Sequence, residues 1–178
     1  MTTRGRRPVQ DKDDEWGLDS GLQDDVDVKI VKSAFGYQDN YNNGETALLI
    51  WDVESPDADF EYPIIWSCGN GWEVLERGKR VEHEKRSRFV ETSGVGRLIK
   101  RCKELGVEDT LRERGNPRDA SIWEGLTFHV KREKFEQGPG LDPWEHLMPV
   151  EFVDGAAPAK PATRTATRTA AAAAPART

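Results

Sequence analysis

The feature that most limits the fold of this 178-residue chain is a change of hydrophobic period along it. Val26, Val28 and Ile30 alternate with Asp27 and Lys29, and Phe60, Tyr62, Ile64 and Trp66 share one face of a later extended segment. Between them Thr46 to Val53 is β-branched, aromatic and apolar on both faces, as a central strand requires. At Ser93 the period becomes helical. Val95, Leu98, Ile99, Cys102 and Leu105 make one apolar stripe, and Arg97, Lys100, Arg101 and Lys103 take the rest of the surface. Alternation returns at Leu126, Phe128 and Val130, and a last strand is expected from Leu147 to Val153.

Turn chemistry separates these segments. Asn42-Asn43-Gly44, Ser55-Pro56-Asp57 and Gly69-Asn70-Gly71 each supply residues that tolerate or impose a reversal. Pro63 lacks an N–H, which places its strand at an edge or a bulge. Trp72 to Leu75 and Arg80 to His83 can pair across Arg77-Gly78-Lys79. Ser93 is a helix N-cap, Gly106 a helix stop, and Glu108 to Arg114 a second short helix. The predicted class is mainly β with one or two helices. Five principal strands, with a helix between the third and fourth, match an OB-fold-like, five-stranded, partly open barrel. An SH3-like barrel or an irregular α+β sandwich accommodates the same order.

The domain is expected over residues 26–155. Residues 1–25 read as a disordered acidic arm with Trp16, Leu18 and Leu22 as its main apolar groups. Residues 156–178 read as a disordered tail of Ala, Pro, Thr, Arg and one Lys, which buries too little surface to offset its ordering entropy. Neither a membrane span nor a secretory signal is expected, and the cytoplasm is the expected compartment. Cys68 and Cys102 have no metal-ligand spacing and read as reduced, buried thiols.

Charge is unevenly placed. The net charge is −6, yet residues 76–104 carry +5 and the preceding fifty carry −7. Such a balance opposes indiscriminate polyanion binding and leaves room for one local basic footprint. No Walker A loop, dinucleotide fingerprint, HExxH or nucleophile elbow occurs, so no enzyme activity and no cofactor are expected. Gly94-Val95-Gly96-Arg97 could cradle a phosphate at a helix start, but reads first as a tight helix entry.

The segments NYNNGET, WSCGNGWEV, SGVGRLIKRCKELG, IWEGLTFHVKREKFE and LMPVEF, spanning roughly residues 26–153, resemble small proteins of actinobacterial phages. Some of that group are regarded as OB-fold-like, single-stranded DNA-binding proteins. The resemblance implies binding of single-stranded DNA during phage replication or recombination, in company with replication or recombination proteins or as a homo-oligomer. A virion structural or assembly protein is the alternative, and an inhibitor of a host protein a third. On a barrel of this kind the ligand face would carry Trp51, Tyr62 and Trp66, flanked by Tyr37 and Tyr41 in the first loop and Trp144 in the last. Trp51 and Trp144 are expected to be exposed for base stacking, Trp66 and Tyr62 largely buried. Arg77, Lys79, Arg80, Lys85, Arg86, Arg88, Arg97 and Lys100 are the candidate phosphate contacts.

Overall fold

A computed structural model describes residues 24–136 and 138–155. Five antiparallel strands form the principal sheet: β1 (Val26–Gly36), β2 (Leu48–Glu54), β3 (Ile64–Ser67), β6 (Leu126–Phe135) and β7 (Trp144–Gly155). Their order is β3-β2-β1-β6-β7. β4 (Trp72–Leu75) and β5 (Arg80–His83) pair as a separate hairpin, and α1 (Gly94–Glu104) and α2 (Glu108–Arg114) follow it. The predicted arm and tail lie outside the described residues, apart from Asp24 and Asp25.

β1 is shared by both halves of the sheet. Val26 to Lys29 pair with β6, and Lys29 to Gly36 pair with β2. A bulge between Ile30 and Lys32 makes the double pairing possible, because the extra residue, Val31, bends the strand and reverses its phase. Val28 and Ile30 point into the core before the bulge, Ser33 and Phe35 after it. A strict period-two reading carried past Ile30 therefore assigns the wrong face.

The sheet is not closed. Its ends, β3 and β7, are joined by no strand ladder, and α1 packs against both of them. Ser93 caps α1 by accepting the Gly96 N–H at 3.0 Å, as its position predicts. The two glycines of the first turn are there for close approach: a Cβ on Gly94 would meet Ser67 N at 2.6 Å, and one on Gly96 would meet Val90 O at 1.9 Å. Arg101 pins the other end of the helix with two bonds to Glu133, at 2.6 and 2.8 Å, and a third to Pro149 O at 3.0 Å. The tight helix entry is what the fold uses these glycines for.

One continuous core fills the concave side of the sheet. Trp51, Trp66 and Trp123 are wholly inside it with Ile30, Leu49, Leu98 and Phe128. Two expectations are corrected here. The sequence reading puts Trp51 at the surface, but β2 lies inside the sheet and Trp51 is paired between Ser33 and Ile64, both of which face inward. The same reading puts Tyr62 in the core, but β3 begins only after Pro63, so Tyr62 precedes the strand and is 78% exposed. The short helix, the hairpin and the position of β3 at a sheet end all agree with expectation. β6 runs on to Phe135, and β7 starts at Trp144 instead of Leu147. Cys68 and Cys102 are free and buried. Among the described residues no helix is long and apolar enough to cross a membrane.

Candidate nucleic-acid interface

A cleft of about 1030 Å³ opens along the seam between β3 and β7. Its floor is Trp66, and its walls include the start of β7, the first turn of α1, the Cys68–Gly71 turn, the segment after β5 and Tyr41 of the β1–β2 loop. Of the predicted site residues it gathers Tyr41, Trp66, Lys85, Arg86, Arg97 and Trp144. These residues span more than a hundred positions of sequence, and the curl of the sheet brings them to one surface.

The rings form a connected row. Phe135 and Trp144 are register partners at the end of the β6–β7 hairpin and stack with centroids 5.0 Å apart. Trp144 meets His146 edge-on at 5.3 Å, and His146 lies 4.1 Å from Trp66. Over the outer pair sits the Arg97 guanidinium, 5.0 Å from the Phe135 centroid and 5.6 Å from that of Trp144. A planar cation held on an aromatic face presents its N–H edge outward, where an anion can meet it. Lys85 and Arg86 line the cleft from the segment after β5 and are exposed, and with Arg97 they make no ion pair among the described residues. Glu136 is the acidic residue of the lining.

His146 is the polar link inside the seam. Its Nε2 lies 2.5 Å from Ile65 O and its Nδ1 2.7 Å from Leu147 O. Burial lowers its pKa, while the two carbonyls work in the other direction.

The remaining predicted residues fall elsewhere. Trp51 packs 5.3 Å from both Trp66 and Trp123 and lies parallel to Phe128, so it offers no face to a base. Tyr37 is exposed, but its hydroxyl accepts the Val74 N–H at 3.1 Å and ties the first loop to β4. Arg77, Lys79 and Arg80 sit at the β4–β5 turn, where Arg80 is engaged by Glu82 at 2.6 Å and by Glu76 and Asp119. Arg88 and Lys100 line a second hollow of about 690 Å³ on the far side of α1, and Lys100 is paired with Glu91. The basic stretch is therefore divided by the helix instead of forming one stripe.

Phe135 and His146 are the site residues that sequence reasoning missed. For His146 the signal was present, since Trp144 and His146 continue the Met148, Val150, Phe152 alternation of the last strand backward; Phe135 is out of phase with Leu126, Phe128 and Val130, and the pattern of β6 did not mark it. Among the described residues no group of His, Cys, Asp and Glu is placed to hold a metal ion. No family model, curated protein or solved structure matches the chain.

Proposed function

We propose that this protein binds single-stranded DNA in the β3–β7 cleft, and that its sheet is a partly open barrel of the OB type. The observation that carries the reading is Arg97 seated over Phe135 and Trp144, with Lys85 and Arg86 lining the same cleft. Half-exposed rings beside cations that make no ion pair among the described residues are what an unpaired strand needs: a face for the base and charge for the phosphate. A duplex keeps its bases stacked and offers these rings nothing. The fold supports the same reading, because the ends of the strand order, β3 and β7, are brought together by the His146–Ile65 contact. The first loop and the β6–β7 loop, both of which flank the cleft through Tyr41 and Trp144, are those that bind ligands in OB-folds. The sequence resemblance supplies the setting, phage replication or recombination.

The test is fluorescence anisotropy with a labelled oligonucleotide of about 30 bases, long enough for a site of roughly 4 to 16 nucleotides. Salt-sensitive binding that duplex DNA does not compete away is the expected result. Absence of binding at low salt overturns it and moves the cleft to protein contacts, as a virion assembly role requires.

A further inference from the structure

We infer that the chain's own acidic segment Asp13–Leu22 is a competitor for this cleft, occupying it when no nucleic acid is present. The inference rests on the nucleic-acid reading for its consequence, but on independent observations for its geometry.

The first is direction. β1 pairs with β6 so that Val26 is opposite Val130 and Lys29 opposite Thr127. The ladder ends at Val26, but Asp24 still lies beside β6, since its carboxylate accepts the Arg132 N–H at 2.6 Å. Asp25 is held beside it by His129 Nε2 at 2.8 Å and Lys131 Nζ at 3.2 Å. The described chain therefore starts beside Arg132, on the strand that ends at Phe135, whose ring stacks on Trp144 of the cleft. Phe135 is three residues beyond Arg132, about 10 Å along the strand. Trp16 is eight residues ahead of Asp24 and can reach as far as roughly 26 to 29 Å.

The second is complementarity. Asp13, Asp14, Glu15 and Asp19 supply the charge that Lys85, Arg86 and Arg97 lack, and Trp16, Leu18 and Leu22 supply apolar groups for the rings. No other stretch ahead of β1 combines the two. A strand of DNA would have to displace this segment, so apparent affinity is reduced by the fraction of molecules whose cleft is open.

The experiment uses the full chain carrying Asp19→Cys with a nitroxide label. Cys68 and Cys102 are buried, so the label goes to the new thiol. Broadening of the Trp144 indole and Arg97 amide resonances is expected without DNA, with recovery on addition of an oligothymidylate of about 30 bases. Asp13→Asn, Asp14→Asn and Glu15→Gln together should remove the broadening and tighten oligothymidylate binding roughly threefold to tenfold. Unbroadened cleft resonances overturn the inference whether or not DNA binds. Broadening with unchanged affinity in the neutralised variant overturns the competition. Broadening in a protein that binds no oligothymidylate leaves the docked segment standing and removes the nucleic-acid reading instead.

Discussion

His146 on β7 reaches the backbone of Ile65 on β3, with Nε2 2.5 Å from the carbonyl oxygen, although the two strands stand at opposite ends of the sheet order. A side chain thus spans the gap that a strand ladder leaves open. The same imidazole touches Trp66 and Trp144, so the contact that draws the sheet ends together also sets the rings of the cleft.

Two tryptophans should separate binding from folding. Trp144→Ala removes a half-exposed ring and is expected to lower oligonucleotide affinity by about 1 to 3 kcal/mol, with little change in melting temperature. Trp51→Ala empties a fully buried site among three other rings and should cost about 3 to 5 kcal/mol of stability, a large part of what a domain this size has. Anisotropy and thermal denaturation of both variants check the pair. Equal loss of binding without unfolding in the two would contradict the geometry.

Salt dependence counts the phosphates that the cleft neutralises. Replacing Lys85, Arg86 and Arg97 together by Ala should reduce the slope of log affinity against log salt by about 0.7 for each phosphate left without its cation, so by about 2 in all. The same treatment of Arg80 should leave the slope unchanged and reduce stability slightly, because its partners are Glu76, Glu82 and Asp119. A titration series from low to moderate salt measures both.

Two histidines give opposite pH signs. His129 is held between Asp25 and Asp27, whose hydrogen bonds raise its pKa above the ordinary 6.5. Its contribution is complete below that value and fades as pH rises through the raised one. Burial lowers the His146 pKa, so its contribution is present above 6.5 and fades as pH falls through the lowered one. His129→Gln should flatten the alkaline side of the stability profile and His146→Gln the acid side. Melting temperatures from about pH 5 to about pH 9 resolve the two limbs.

Gly96→Ala should unfold or severely weaken the domain. The added Cβ would stand 1.9 Å from Val90 O, so α1 must leave its seat against the 90–91 backbone. The expected loss exceeds about 2 kcal/mol, against the gain of up to about 1 kcal/mol that the same change gives in an open helix. Gly106→Ala meets nothing within 4 Å and isolates the purely conformational cost of a positive φ.

The thiols should be silent until the fold opens. Burial pushes Cys68 and Cys102 up to about 12, so neither supplies thiolate near neutral pH. Labelling by a thiol reagent is expected to follow the unfolding transition. Rapid labelling of the native protein would show that the seam or the α1 face opens locally.

Local chemistry was enough to place most elements. Ser93 as cap, the helical stripe from Val95 to Cys102, the hairpin across Gly78 and the end position of the strand that follows Pro63 all depend on near neighbours, and all were readable. The bulge at Val31 was not, because an alternating pattern holds no mark of where a strand must bend to serve two partners. The site divides the same way. Residue type alone nominated Tyr41, Trp144, Lys85, Arg86 and Arg97, since aromatic faces and cations are what a polyanion with bases requires. Which of them share a surface depended on the curl of the sheet. That curl turned Trp51 inward, drew Trp144 over to Trp66, and placed α1 as a wall that keeps Arg88 and Lys100 out of the cleft. The sequence by itself determined the elements and the kind of chemistry they carry, because propensity, capping and charge act over a few residues. Only the tertiary structure decided which rings remain open to a ligand, because burial is set by strands that meet from distant parts of the chain.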